Sequence, residues 1–221
     1  MKNALIIGAS GGIGAAITAQ LRQDGMDVTT LSRSEDGFDV GNAALVEKHM
    51  TALQGSFDLI FIAIGILAPL WGSPEKTLSS IKQNDMARVF AINTIGPGLI
   101  LGHAARLLPK DRRSVVATLS ARVGSIGDNQ IGGWHSYRAS KAALNQIIHG
   151  AAIELGRSHK HSICVALHPG TVQTSFTENY AGRHKTVPAA EAATNLLGVI
   201  DTLKPAQSGG FYDYAGQKIA W

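Results

Sequence analysis

The sequence has one cysteine, few charged residues and no long apolar run, and each shortage excludes a class of protein. Its one cysteine, Cys164, cannot form an intrachain disulfide, and it stands in an apolar run that is typical of a buried strand. No apolar segment reaches the roughly 18 residues of a membrane-spanning helix, and the first strand begins too close to Met1 to leave room for a signal peptide. We therefore expect a cytoplasmic protein with no membrane partner.

Charged residues make up only 16% of the chain and hydrophobic residues 45%, a balance that excludes a disordered protein. The net charge of +4 is mild, and the one basic cluster, residues 110–113, has no interleaved aromatics, so we expect a solvated turn and no nucleic-acid partner. The eight histidines lack metal-ligand spacing, and His159 and His161 are expected at the surface, so we expect no metal site. A chain of 221 residues predicts one domain, spanning residues 1–221.

Apolar runs of strand length alternate with longer helical patterns, which is typical of parallel βαβ construction. The runs place strands at residues 4–7, 27–31, 58–64, 114–119, 162–167 and 210–214, and helices at 12–23, 43–53, 85–108, 136–155 and 189–200. We predict a single doubly wound α/β domain of the Rossmann type, with a mostly parallel, seven-stranded sheet flanked by helices. Long loops at 69–75, 124–134 and 173–188 follow the carboxyl ends of strands, where ligands bind in such sheets.

A glycine-rich turn directly follows the first strand and leads into a helix. Glycines permit a tight turn and close backbone approach, while unpaired amides at a helix start attract negative charge, so the turn is placed to hold a pyrophosphate. Its spacing is Gly-x-x-x-Gly-x-Gly, and taken alone it also suits a methyltransferase or a flavoprotein. The expected cofactor contacts are Gly8, Ser10, Gly11, Gly12, Ile13 and Gly14.

The end of the second strand bears on the choice of cofactor. It reads Leu31-Ser-Arg-Ser34, with no carboxylate where NAD enzymes bind the ribose 2′-hydroxyl and where a methyltransferase would also carry an acidic residue. Ser32 and Arg33 can instead bind a 2′-phosphate, which favours NADP(H) over NAD(H), although Arg33 is also compatible with an exposed loop arginine. Farther on, Asp39 and Val40 are placed to touch the adenine edge, although Asp39 is also compatible with an exposed turn aspartate.

Tyr137 and Lys141 lie four residues apart in a predicted helix and therefore share one helical face. A free tyrosine has a pKa near 10, and both a neighbouring ammonium and a cationic nicotinamide lower it. Tyr137 would then be the general acid in carbonyl reduction and the general base in alcohol oxidation. Such a pair is common in helices, so its weight depends on the motifs that accompany it.

The accompanying motifs resemble the short-chain dehydrogenase/reductase family. The glycine turn, Asn93, Tyr137-x-x-x-Lys141 and Pro169-Gly170 occur in the family's order over nearly the whole chain. The stretch 124–141 is similar to the subgroup that contains C-factor and sniffer-like carbonyl reductases. The resemblance implies an NADP-dependent oxidoreductase that acts on a small carbonyl or alcohol substrate and forms a homodimer or homotetramer.

The resemblance also implies roles for single residues. Lys141 would bind the nicotinamide ribose, and Asn93 would hold a helix irregularity and a water in a proton relay. Further residues would flank the nicotinamide and its phosphates, namely Gly65, Pro169, Gly170, Thr171, Val172 and Thr174. His168 lies near this end of the cofactor and is not expected to be catalytic.

Two departures from the family pattern matter. The usual Ser-Ser pair at the end of the fifth family strand reads Ser120-Ala121, so either Ser125 or Ser120 would have to supply the catalytic hydroxyl. The usual Asn-Asn-Ala-Gly turn reads Ile62-Ala-Ile-Gly65, which retains only the glycine among the functional positions. The missing serine leaves open an alternative function, a non-catalytic NADP(H)-binding regulator on the same fold.

Overall fold

Six parallel strands form one sheet in the computed structural model, which describes residues 1–69, 72–174, 176 and 186–221. The order across the sheet is β2-β1-β3-β4-β5-β6, and every neighbouring pair is parallel. The strands are β1 (Asn3–Ile7), β2 (Asp27–Leu31), β3 (Leu59–Ile62), β4 (Ser114–Leu119), β5 (Ser162–His168) and β6 (Phe211–Asp213).

Helices cover both faces of this sheet. They are α1 (Gly12–Gln23), α2 (Arg33–Asp36), α3 (Ala43–Ala52), α4 (Gln83–Phe90), α5 (Gly96–Leu101), α6 (Ala104–Leu107), α7 (His135–Ser158) and α8 (Ala189–Thr202). Helices α1 and α8 pack together on one face, and α3, α4, α5 and α7 lie on the other. The predicted doubly wound α/β architecture is confirmed.

Two apolar cores lie on opposite faces of the sheet because successive side chains of a strand alternate in direction. In β1, Leu5 and Ile7 belong to the core beneath α7, while Ala4 and Ile6 belong to the core beneath α1 and α8. Burial on both faces explains why these strands read as continuous apolar runs.

The prediction of seven strands is wrong for the part of the chain that the structure describes. Between β2 and Asn42, which caps the start of α3, the chain has ten residues. A parallel crossover needs about a dozen residues or more, so this connection cannot hold both a full helix and another strand. It holds only the short helix α2 and turns, and β2 is left at the edge of the sheet.

The long helix predicted at 85–108 is also interrupted. It divides into α4, a π-helical turn over Ala91–Ile95, α5 and α6. Pro97 lacks the amide that a continuous helix would use, and Gly96 and Gly102 favour the helix weakly. The strand predicted at 58–64 is likewise shorter than expected, since β3 covers Leu59–Ile62.

Two side chains outside the site test smaller expectations. Cys164 is fully buried, as predicted, and burial raises the pKa of its thiol to about 12. His159 was expected at the surface, but it is 2% exposed, and its Nδ1 pairs with Ser158 Oγ at 2.8 Å where α7 ends. No helix in the described part of the chain is long and apolar enough to cross a membrane.

Candidate active site

The glycine turn lies at the carboxyl end of β1. Gly8 has a φ of +89°, and its amide donates to Leu31 O at 2.8 Å, which ties the turn to the end of β2. The first helical bond of α1 runs from Ala15 N to Gly11 O at 2.8 Å, so the amides just before Ala15 point out of the helix start. Gly14 packs directly on the Gly8 carbonyl, leaving no space for a side chain. Ser10, Gly11 and Gly12 are exposed and Ile13 is half-buried, so the turn is open to an anionic ligand.

The contacts at the end of β2 differ from those predicted from the sequence. Ser32 is buried and its Oγ accepts from Glu35 N at 3.2 Å, while Arg33 is exposed. Asp36 Oδ2 accepts from Ser32 N at 2.7 Å and from Ser32 Oγ at 3.3 Å. The expectation that no carboxylate is available here is therefore wrong, because α2 turns the chain back and brings Asp36 onto Ser32.

Asp39 and Val40 follow α2, and Val40 packs against the start of α5. Asp39 Oδ1 accepts from Gly41 N at 2.8 Å, so the carboxylate stabilises its own turn. Val40 is buried against Gly96, where a Cβ would lie 2.8 Å from the Val40 Cβ. Val40 is fixed by this packing and Asp39 by its hydrogen bond, and their contact with adenine stays a prediction.

Tyr137 and Lys141 lie on a buried face of α7. The side chains are 6% and 2% exposed, and Lys141 Nζ lies 6.0 Å from the centre of the Tyr137 ring. Lys141 Nζ also donates to Leu119 O, at the end of β4, at 2.9 Å. Burial lowers the pKa of Lys141 to about 7 and raises the pKa of Tyr137. In the protein alone, the phenol therefore stays protonated at neutral pH, and the predicted lowering of the Tyr137 pKa is not found.

Asn93 connects the interrupted helix to two neighbouring segments. It is fully buried within the π-helical turn, at the helix irregularity that the resemblance implied. Its Oδ1 accepts from Ile66 N at 2.8 Å, and its Nδ2 donates to Ile66 O at 2.8 Å and to Ser140 Oγ at 3.0 Å. The asparagine therefore fixes the turn after β3 to α7, although this turn lacks the family's own asparagines.

Gly65 brings this turn close to the buried pair. A Cβ on Gly65 would lie 3.3 Å from Lys141 Nζ and 3.5 Å from Asn93 Oδ1. Ser140, which accepts from Asn93, donates its own proton to Tyr137 O at 2.8 Å. The structure thus brings Gly65, Asn93, Tyr137 and Lys141 together, as the sequence predicted.

The two serines that could replace the missing hydroxyl have different environments. Ser120 Oγ donates to Asn145 Oδ1 at 2.6 Å, so its proton is already used. Ser125 is 1% exposed, and its Oγ accepts from Asp128 N at 3.1 Å, a bond that uses the oxygen and not the proton. Ser125 is therefore the better candidate for a hydrogen-bond donor to a substrate.

The loop that carries Ser125 packs directly on α7. A Cβ on Gly124 would lie 2.7 Å from the Lys141 Cβ and 3.1 Å from Ala142 N, so the loop approaches the helix too closely for any side chain there. Arg138 donates to three carbonyls at the two ends of the loop, those of Val123 (3.3 Å), Gly132 (3.1 Å) and Gly133 (2.9 Å). Arg138 stands inside the Tyr-Arg-Ala-Ser-Lys motif, yet nothing in the sequence distinguishes it from an exposed arginine.

The segment after β5 folds back toward the glycine turn. Gly170 has a φ of +77°, and Val172 forms an isolated parallel bridge with Val187. A Cβ on Gly12 would lie 2.5 Å from Thr174 Cγ2, so the phosphate contacts predicted in the glycine turn and in the segment after β5 are adjacent. Pro169, Gly170, Thr171 and Thr174 are half-buried, and Val172 is buried. Residues 175 and 177–185 of the predicted substrate loop lie outside the described residues.

Two aromatic side chains flank Tyr137. The ring centres of Trp134 and Phe176 lie 6.2 Å and 6.0 Å from that of Tyr137. Trp134 has a left-handed backbone with a φ of 51° and is the N-cap of α7. Sequence reasoning assigned neither residue, and the only available signal was that both fall in long loops after strand ends.

His168 ends β5 and stays neutral at physiological pH. Burial is the main reason that its pKa falls to about 4; Arg122 lowers it further and Asp213 opposes the change. A neutral imidazole at this position is not a cationic anchor, and the expectation that His168 shapes the site without catalysing the reaction stays a prediction.

These features define a class of protein. A parallel sheet with helices on both faces, a glycine turn after β1 and a buried tyrosine-lysine pair near the carboxyl end of β4 are typical of Rossmann-type oxidoreductases. A family model described as enoyl-(acyl carrier protein) reductase matches residues 8–206. The chain belongs to the short-chain dehydrogenase/reductase family of oxidoreductases.

Individual relatives agree with this assignment. 1-Hydroxy-2-glutathionyl-2-methyl-3-butene dehydrogenase of a Rhodococcus species is 31% identical over 236 residues, covering 100% of both chains. The C-signal of Myxococcus xanthus is 36% identical over 170 residues, covering 76% of this chain and 94% of that protein. Among solved structures, the carbonyl reductase Sniffer of D. melanogaster shares the fold with a TM-score of 0.85 at 22% identity, covering 100% of both chains. The NADPH-bound carbonyl reductase from chicken fatty liver has a TM-score of 0.84 at 22% identity, covering 100% of this chain and 94% of that one.

Proposed function

We propose that the protein is an NADPH-dependent carbonyl reductase that works as one domain of residues 1–221. The observation that carries the proposal is the buried pair of Tyr137 and Lys141, 6.0 Å from Nζ to the ring centre, with Asn93 and Gly65 beside it. A proton donor and a second ionisable group buried together near the glycine turn are suited to proton transfer at a carbonyl oxygen. The cofactor would supply the hydride when bound.

The described residues fit a nicotinamide dinucleotide. The exposed amides of the glycine turn suit the pyrophosphate, and the buried Lys141 amine next to Gly65 suits the ribose hydroxyls. Ser32 and Arg33 are the residues that would bind a 2′-phosphate, and the NADPH bound in the chicken carbonyl reductase supports the same preference here. Asp36 opposes that preference, because its carboxylate already accepts the two Ser32 donors.

In the proposed reduction, Tyr137 donates its proton to the carbonyl oxygen as charge develops there. A raised pKa is compatible with this direction, since the phenol is fully protonated before reaction and an alkoxide is far more basic than a phenolate. Lys141, with a pKa of about 7, carries a partial positive charge at neutral pH that stabilises the phenolate left behind. Ser125 would donate to the same oxygen in place of the hydroxyl missing at Ala121.

The substrate would present an apolar group to this site. Trp134 and Phe176 flank Tyr137, and Ile126 and Ile131 of the Ser125 loop are 78% and 90% exposed. Apolar side chains that remain exposed near a polar centre favour ligands with an apolar body and one polar end. We therefore expect aromatic or branched ketones and aldehydes to be better substrates than short hydrophilic ones.

Turnover of NADPH tests the function. Purified protein is mixed with NADPH and a panel of aldehydes, ketones and quinones, and with NADP plus the glutathionyl alcohol named for the Rhodococcus relative. Tyr137→Phe should lower kcat by about 10²–10⁴-fold while leaving the Kd for NADPH, measured by fluorescence, unchanged. Undiminished turnover in Tyr137→Phe would refute the role of the tyrosine.

A second candidate is a non-catalytic NADP(H)-binding regulator. It is favoured by one observation: Ala121 lacks the hydroxyl, and the proton of the adjacent Ser120 is held by Asn145. Tight NADPH binding without turnover of any substrate in the panel would support this candidate against the reductase.

The cofactor preference has its own test. Arg33→Ala should raise the Kd for NADPH by roughly tenfold, because one charge-assisted contact to phosphate is lost, and should change the Kd for NADH little. Equal effects on both cofactors would place Arg33 outside the 2′-phosphate site.

We also propose that the protein forms a homodimer or homotetramer. Ile95 and Leu99 on the interrupted helix and Ile153 on α7 are 55%, 38% and 54% exposed. Large apolar side chains exposed along long helices are typical of subunit interfaces. Sedimentation equilibrium should give a multiple of the 23.2 kDa chain, and a monomer at micromolar concentration would contradict the proposal.

A further inference from the structure

The loop between β3 and α4 fastens Glu75 to the first turn of α7. Trp134 N donates to Glu75 O at 2.5 Å, and Ser136 N donates to Glu75 Oε2 at 3.2 Å. Ser136 Oγ donates to the other carboxylate oxygen, Oε1. A Cβ on Gly133 would lie 3.6 Å from Glu75 O, so the backbone just before Trp134 also lies against the main chain of Glu75. Both oxygens of the carboxylate and the main-chain carbonyl are thus used at one helix start.

This contact replaces a local helix cap. The N-cap residue of α7 is Trp134, whose side chain makes no capping bond, and a tryptophan with a φ of 51° is unfavourable in an L-amino-acid chain. Glu75 satisfies the amide of Ser136, which lies in the first turn of α7 and has no partner within the helix, and places a negative charge at the positive end of a 24-residue helix. A residue from a distant loop therefore holds the strained start of α7.

The strained turn leads directly to the proposed proton donor. Trp134 lies edge-on to Tyr137, with ring centres 6.2 Å apart and planes at 67°. Ser136 is the residue before Tyr137, and Arg138, the residue after it, fixes the Ser125 loop. Any shift of the first turn of α7 would therefore move the phenol and its aromatic wall together.

We propose that Glu75 is a positioning residue for proton transfer: its carboxylate holds Ser136 and its main-chain carbonyl holds Trp134, so that Tyr137 meets the substrate oxygen. This inference rests on the proposed function of Tyr137 as general acid. It adds that Glu75, which supplies no atom to the reaction, affects the rate of the chemical step through the start of α7.

The test compares Glu75→Gln with Glu154→Gln, an exposed glutamate on the same helix that serves as the matched control. For each protein we would measure the NADPH Kd, the thermal midpoint, kcat and KM. We would also measure the primary isotope effect on kcat with NADPH deuterated at the transferred position. Backbone hydrogen exchange of residues 134–138 in the cofactor-free protein reports whether the contact itself is lost.

Glu75→Gln is expected to lower kcat about tenfold, raise the isotope effect and speed hydrogen exchange at 134–138, with the NADPH Kd within twofold of wild type. Ser136→Ala should act in the same direction. The double variant should be no slower than Glu75→Gln, because both substitutions disrupt the same contact between Glu75 and Ser136. Glu154→Gln should match the wild type.

Two results separate the possible failures. If the wild type is active and Glu75→Gln is equally active, the positioning role alone is overturned. The same conclusion holds if turnover per total protein falls only in proportion to the concentration of NADPH-binding sites and the isotope effect is unchanged. A wild type that binds NADPH but reduces no carbonyl would overturn the proposed function and this inference with it.

Discussion

Replacing Lys141 with methionine removes an ionisable group that folding places in an unfavourable environment. Lys141 is 2% exposed, and burial holds its pKa at about 7, whereas an unfolded chain has a lysine pKa of about 10.4. Between these values the unfolded chain binds more protons at this residue than the folded one, so the contribution of Lys141 to wild-type stability rises with pH. Integrating the two titrations from about pH 7 to pH 9 gives a gain of about 2 kcal/mol from this single group.

The assay is urea unfolding of the cofactor-free protein at the two pH values, for the wild type and for Lys141→Met. Methionine fills a similar volume, and the lost bond to Leu119 O costs about 1 kcal/mol at either pH, so it does not affect the slope. The Cys164 thiol, with its pKa raised to about 12, lowers stability as pH rises, but it does so equally in both proteins and cancels. Lys141→Met should therefore lack the gain of about 2 kcal/mol. Parallel pH dependences in the two proteins would refute the assignment of Lys141 as a buried amine with a lowered pKa.

Three further variants test the surrounding structure. Asn93→Ala should lower the free energy of unfolding by about 2–4 kcal/mol in urea titrations, because it leaves both main-chain groups of Ile66 without their side-chain partner; a loss below about 0.5 kcal/mol would contradict the bonds described. Gly124→Ala, whose Cβ would lie 2.7 Å from the Lys141 Cβ, should cost about 1–3 kcal/mol by the same measurement, and neutral substitution would show that the loop can move away freely. Asp58→Asn should remove part of the acid sensitivity. Burial alone would raise the pKa of Asp58, but bonds donated by Lys2, Arg112 and Asn3 outweigh it and hold the pKa low. The stability that Asp58 contributes should therefore be fully present above about pH 4 and be lost as the pH falls through the lowered pKa, so the thermal midpoint of the variant should depend less on pH in acid.

Strands and helices were predictable where one local rule decided them. Continuous apolar runs located β4 at Ser114–Leu119, and the glycine turn located α1 at Gly12–Gln23, each at the residues where it is found. The number of strands was not predictable from a family pattern, because it depends on the length of the connection after Leu31. The break in the long helix has a local signal in Pro97, but the bonds between Asn93 and Ile66 that accompany it are tertiary and leave no periodicity in the sequence.

The site was predictable to the extent that it is built from spacing within single elements. Tyr137 and Lys141 share a helix face by periodicity alone. Asp36 was missed because its contact with Ser32 depends on the geometry of the short helix α2. Glu75 was missed for a different reason, since it meets Ser136 across 61 residues and no local pattern marks it. Contacts that join distant loops are set by the packed fold, and a single sequence does not display them.

The short connection after β2 has a consequence for altering the protein. Because β2 is the outermost strand and Gly37 beside it has a φ of +67° with nothing within 4 Å of a Cβ, extra chain can enter there without meeting a neighbour. An engineered segment of a dozen or more residues at this point could extend the molecule sideways by one strand, away from the buried tyrosine. An added strand would become the new edge of the sheet, so charged residues or a proline on its outer side would be needed to prevent pairing with other chains.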